Sequence, residues 1–221
     1  MSYTVTDRLF YNLIQYTLIE APNNGASFGS GLYTSAEVVA RTNYRLDLFN
    51  KLTAMYVKNN VTDAVIANVK GQKATNLTDV IDMLEVSYKP SSTWKTIPKG
   101  SSTEADAFLA DQVGAGGTTS VPKIYTFDTA GLLAINLYPP PDTTGTLRMC
   151  YAPKIGTLPT TPDGTTINLP DDFTPYVKFG VLADLFNKQG EASDPVRGQL
   201  CEQIFQLGVS VAKSWVSGFN N

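Results

Sequence analysis

The chain has 221 residues, 43% of them hydrophobic and 17% charged, with a net charge of −3. A chain of this length hides roughly 70% of its unfolded surface on folding, and so apolar and charge-poor a composition excludes general disorder. Histidine is absent. That removes the commonest general base and metal ligand at neutral pH, and no basic run marks a dedicated nucleic-acid reader.

The spacing predicts a first helix over 4–17, with Val5, Leu9 and Leu13 on one face and Phe10 and Ile14 beside them. Residues 21–31 are rich in Asn, Gly, Pro and Ser and read as a loop. Thr34-Ser35-Ala36-Glu37 is a capping box. It predicts a helix from Ser35 to about Val57, apolar along Val38, Thr42, Phe49, Leu52 and Tyr56 and again along Val39, Leu46 and Thr53. A helix apolar on two sides is buried on two sides, by its own domain or by a neighbouring subunit.

The period then changes to that of strands. Residues 64–69 form a short β-like run, and Leu84, Val86 and Tyr88 alternate with polar neighbours. Trp94 to Ile97 can pair with that strand across the turn at 90–93. Residues 102–112 read as a short helix with Glu104 and Asp106 in its first turns, followed by a Gly/Thr-rich loop at 113–120. Strands over 123–127 and 132–138 flank Asp128-Thr129-Ala130-Gly131, with Leu133, Ile135 and Leu137 on one face. Pro139-Pro140-Pro141 stops the second of them. A further strand over 146–152 places Leu147, Met149 and Tyr151 on one side, and 153–167 is a Pro/Gly/Thr loop.

The last part is helical. Leu169-Pro170-Asp171-Asp172-Phe173 predicts a helix start with Asp171 as cap, running to Gln189 with Gly190 at its end. Ser193-Asp194-Pro195 opens another helix. There Val196, Leu200, Ile204, Leu207, Val211 and Trp215 recur as one continuous stripe. The predicted fold is α+β: a helical layer built from both chain ends, residues 1–63 and 168–221, carrying an inserted antiparallel β module with one short helix over 64–167.

The two cysteines, Cys150 and Cys201, are too few for a disulfide framework or a thiolate metal site and read as reduced thiols. Asn60-Val61-Thr62 and Asn76-Leu77-Thr78 match a glycosylation pattern that chance often supplies. The start Met1-Ser2-Tyr3-Thr4 shows no signal peptide, and no window carries the ~18 apolar residues of a membrane span. The expectation is a soluble product made in the cytoplasm, with no membrane partner.

Candidate chemistry is sparse. Asp171 and Asp172 with Glu104 or Asp106 could form a carboxylate pair, but helix capping and first-turn dipole pairing explain them better. Gly114-Ala115-Gly116-Gly117 lacks the Lys-Ser/Thr of a phosphate loop. Asp79, Asp82 and Glu85 do not match a calcium-loop spacing. No catalytic, cofactor or metal residue is assigned, and no cofactor is expected. Trp215 and Phe219 are candidate partner-binding residues, since aromatics near a chain end serve either the core or a partner's pocket.

Several motifs together resemble a known family. They are the helix opened by Thr34-Ser35-Ala36-Glu37 and running through Asn43, then Asp79-Val80-Ile81-Asp82-Met83-Leu84-Glu85-Val86, then Trp94. After them come Leu137-Tyr138-Pro139-Pro140-Pro141, the strand ending at Tyr151, and Leu169-Pro170-Asp171-Asp172-Phe173 before a helix with Gly180. Their order resembles the adaptor (head-to-tail connector) proteins of short-tailed bacteriophages, over about residues 34–190.

The resemblance implies a structural virion protein of the neck, forming a homo-oligomeric ring, usually of twelve copies, beneath the portal protein. The ring would extend the DNA channel without sequence-specific binding and dock the tail or nozzle protein. It carries no catalytic residues over to this chain. Mild acidity suits a channel that does not grip phosphates, and a low charge fraction suits a subunit flanked by its own copies. A receptor- or carbohydrate-binding module of a tail spike or fibre is the alternative, allowed by 11 Tyr and 2 Trp.

Overall fold

The computed structural model describes residues 5–28, 31–65, 79–114, 120–128, 134–191 and 193–219, and for 62–65, 109–114, 128, 134 and 219 it describes the backbone. Among the described residues the chain is α+β, with helices at both ends and strands between them. It divides into two compact units, 1–56 with 153–221 and 57–152. Local bonding accounts for the limits of these two units. Lys58–Val65 is a strand of the β unit, while the loop after residue 153 is tied to the helices.

The helical unit holds α1 (Asp7–Thr17), α2 (Ser35–Thr53), a 3-10 turn (Asp171–Phe173), α4 (Thr174–Phe186) and α5 (Pro195–Phe219). The helix between them in sequence, α3 (Ser102–Gly114), belongs to the other unit. Helix α4 is the centre: Val177, Val181, Leu182 and Ala183 are fully buried, and α1, α2 and α5 all pack on it. Around it lie Phe10 and Ile14 of α1, Val38, Leu46 and Phe49 of α2, and Phe205 of α5.

The start of α2 follows its capping box in part: the Thr34 hydroxyl accepts from the Glu37 N–H at 3.2 Å. The Glu37 carboxylate is bonded to Lys188. The helix ends at Thr53, short of the expected Val57. Asn50 takes the chain over there, accepting from the Tyr56 N–H at 2.8 Å and donating to the Tyr56 carbonyl at 3.1 Å. Ala54 adopts the left-handed conformation that closes the helix. Both expected apolar sides of α2 are covered within its own unit along most of their length: Val38, Thr42 and Phe49 are buried, and so are Val39, Leu46 and Thr53.

Asp171 does not cap a helix. It is the first residue of a 3-10 turn, and its carboxylate accepts from the Val5 N–H at 3.0 Å, joining the two chain segments of the unit. Gly190 is not the end of α4 either. The cap is Asn187, and Gly190, with φ +119°, lies in the turn between α4 and α5. That turn closes where the Asp194 N–H donates to the Phe186 carbonyl, while the Asp194 carboxylate accepts from the Arg197 N–H at the start of α5.

The β unit contains β1 (Lys58–Val65), β2 (Val80–Lys89), β3 (Lys95–Ile97), α3 (Ser102–Gly114), β4 (Ile124–Asp128), β5 (Ala134–Tyr138) and β6 (Gly145–Pro153). One sheet runs in the order β1-β6-β2-β3, and β4-β5 form a second. The pairs β1/β6, β2/β3 and β4/β5 are antiparallel. The alternation predicted from sequence holds: Leu147, Met149 and Tyr151 of β6, Ile135 and Leu137 of β5, and Val86 and Tyr88 of β2 share one core. Leu84 lies at the core's margin and is exposed. The expected run at 66–69, the second glycosylation pattern, Ala115-Gly116-Gly117, most of the turn at 128–131 and Leu133 lie outside the described residues.

Candidate interaction surface

The expected stripe on α5 is continuous, but most of it faces water. Val196 is 79% exposed, Leu200 and Leu207 57% each, Val211 44% and Trp215 46%. The side of α5 that enters the core carries Cys201, Phe205, Val209 and Ala212 instead. Backbone proximity explains why this second side wins. Gly198, Gly180 and Gly208 let α4 and α5 approach closely: a Cβ on Gly198 would lie 2.6 Å from Asn187 Oδ1, one on Gly180 would lie 2.7 Å from Phe205 Cδ2, and one on Gly208 would collide with Tyr176. The larger side chains of the stripe are left outward.

Ion pairs hold α5 in this rotation. Arg45 of α2 is buried, donates to Asp184 of α4 (Nε to Oδ2, 2.8 Å), pairs with Glu202 of α5 at 2.8 Å, and stacks over the Phe205 ring at 4.9 Å. Burial opposes its charge, but hydrogen bonds and attraction from Asp184, joined by Glu202, raise the guanidinium's pKa overall. The charged residues of α5 are Arg197, Glu202 and Lys213. Arg197 pairs with Asp194 and Glu202 with Arg45, so residues 203–212 present an outer face without formal charge.

Trp215 lies against the core and at the surface at once. Its ring centroid lies 5.7 Å from that of Phe173, yet nearly half the residue is exposed. The Phe219 side chain lies outside the described residues. A second apolar stripe, not anticipated as a surface, lies on α1: Leu9 is 46% and Tyr16 63% exposed, with Leu13 half-buried between them. Ile19, just beyond α1, is 91% exposed at φ +61°, a conformation a β-branched residue rarely adopts. The periodicity that placed Leu9 and Leu13 on one face was visible in sequence. It could not say that Phe10 and Ile14 would take the core.

Among the carboxylates considered for chemistry, Asp171, Glu104, Asp79 and Glu85 have structural partners. Glu104 completes a capping box with Ser101, accepting from its N–H at 2.7 Å, and this backbone bond leads the causes that hold its pKa below the usual value. Asp79 pairs with Lys58 at 2.7 Å and Glu85 with Arg148 at 3.2 Å. Among the described residues no three His, Cys, Asp or Glu side chains converge as a metal site. Cys150 and Cys201 are unpaired thiols, and burial raises the pKa of both. Among the described residues no helix is long and apolar enough to cross a membrane.

A second structural device also escaped the sequence reading. Asn43, Asp47 and Asn50 recur along one side of α2 and hold the backbone of 153–158. Asp47 accepts from the Ile155 and Gly156 N–H groups at 2.8 Å each. Asn43 accepts from the Leu158 N–H and donates to its carbonyl, and Asn50 donates to the Pro153 carbonyl. At the far end of the loop, buried Asp7 accepts from the Asp163 and Gly164 N–H groups.

In comparison with known proteins, the model of the SU10 adaptor protein family matches residues 35–216, most of the chain. No curated protein matches it.

Proposed function

From the chain's membership of the SU10 adaptor protein family, a bacteriophage head-to-tail adaptor family, we propose that it is a structural virion protein of the neck, made in the host cytoplasm. Its copies form a ring below the portal protein, usually of twelve, that extends the DNA channel and docks the tail or nozzle. DNA passes through without sequence-specific binding, in keeping with the net charge of −3. The chain performs no catalysis in this role.

The observation that carries the reading is the apolar outer face of α5, free of formal charge over residues 203–212. A solitary domain gains nothing from leaving four large aliphatic side chains in water along one helix, whereas a subunit of a closed assembly covers them. The helical unit makes the ring and contacts the portal, with Trp215 and Phe219 in that contact. Electron microscopy of the virion, with this chain labelled, tests the proposal. Density at the neck in a ring of copies is the expected result, and a threefold assembly at a fibre tip overturns it.

A further inference from the structure

We propose that neighbouring copies join head to tail, with the outer face of α5 on one copy covering the outer stripe of α1 on the next. The inference rests on the ring reading and adds which faces meet. A closed ring needs two different patches on each subunit. The helical unit carries two such stripes: Leu200, Leu207 and Val211 on α5, and Leu9, Leu13 and Tyr16 on α1. They belong to different helices whose inner sides are already used. Helix α1 packs on α4, and α5 packs on α4 and α2.

Charge favours this pairing. No charged residue occurs from Leu9 to Thr17 on α1, nor from Gln203 to Ala212, the stretch of α5 that carries Leu207 and Val211. Two such faces can meet without stranding an ion in a dry interface. The stripe's large apolar side chains stand well exposed, Leu200 and Leu207 at 57% each and Val211 at 44%, so covering them removes contiguous apolar surface from water. Small polar side chains beside the stripe, Ser210 and Ser214, allow a second helix to approach and donate within their own helix.

The test uses the full chain assembled in the virion. In a Cys150→Ser background, Leu207→Cys and Tyr16→Cys are made singly and together and treated with a flexible bismaleimide. The double variant should give a ladder of multimers on a denaturing gel, and each single variant monomers. Dimers from Leu207→Cys alone overturn the head-to-tail pairing, because they require two α5 faces to meet. A ring seen by microscopy but giving no ladder overturns the face assignment and leaves the adaptor reading standing. A particle holding one isolated copy overturns both. Leu207→Glu supplies a second arm. That residue is more than half exposed, so the melting temperature should be unchanged while incorporation into particles falls at least about tenfold. Normal incorporation of that variant overturns the proposal.

Discussion

Arg45 on α2 and Asp184 on α4 form a two-point ion pair in the centre of the helical unit, the Nε–Oδ2 arm at 2.8 Å. Glu202 on α5 takes the remaining guanidinium nitrogen, so one side chain links three helices. Removing the cation leaves two carboxylates facing each other, one of them 16% exposed. Arg45→Ala should therefore lower stability in urea by about 3 kcal/mol, toward the lower end for a broken buried pair because Glu202 still meets water. Asp184→Ala should cost more than Glu202→Ala, whose side chain is 35% exposed. The opposite order in urea midpoints would show that the link to α5 dominates.

The α4/α5 contact gives a prediction whose sign separates two effects. Helix propensity alone makes Gly→Ala within a helix favourable by up to ~1 kcal/mol. At Gly208 the added methyl would meet the Cβ and ring of Tyr176, which sit too close to the backbone to swing away. Gly208→Ala should destabilise by about 1–3 kcal/mol. Gly218→Ala, with nothing within 4 Å of the new Cβ, should be neutral or slightly stabilising. Calorimetry on the two variants checks the contrast, and a stabilised Gly208→Ala would mean the helices stand further apart.

The polar side of α2 anchors the loop that follows the β unit. Asp47→Ala leaves the Ile155 and Gly156 N–H groups without their acceptor, at a cost of about 1–3 kcal/mol. The effect should be local first. Amide exchange at 155–158 should speed up in Asp47→Ala and Asn43→Ala while the α4 amides keep their protection. Equal acceleration along α4 would argue that the loop and the helices open as one unit.

Periodicity made the elements legible, and the capping residues fixed where several begin: Thr34 at α2 and Asp194 at α5 lie at the starts expected of them. Side-chain spacing does not say which side of an apolar helix its neighbours will take. On α5 that choice fell to glycines that permit close approach, so the stripe headed by Val196 and Leu200 faces out although its pattern reads like a core. Asp171 failed as a cap for a related reason. A distant backbone group, the Val5 N–H, took its carboxylate, and local sequence holds no record of such a partner. The same limit hid the work of Asn43, Asp47 and Asn50, which bind backbone about a hundred residues away.

Acid should weaken the β unit. The Ser87 hydroxyl, with help from Arg148, holds the Glu85 carboxyl below its usual range, and Lys58 does the same for Asp79, in each case against some desolvation. A carboxylate whose pKa falls on folding binds its proton more weakly in the folded state, so protonation favours unfolding. The contribution is complete above the unfolded values of about 4 and is lost as pH drops through the lower folded ones. Each unit holds one tryptophan, Trp94 and Trp215, so Trp215→Phe leaves Trp94 as the reporter of the β unit. Its urea midpoint should be flat from pH 7 to 5 and fall as the pH drops below about 4. A midpoint that rose or held constant across that window would mean that Glu85 and Asp79 are no better bonded in the fold than in the open chain.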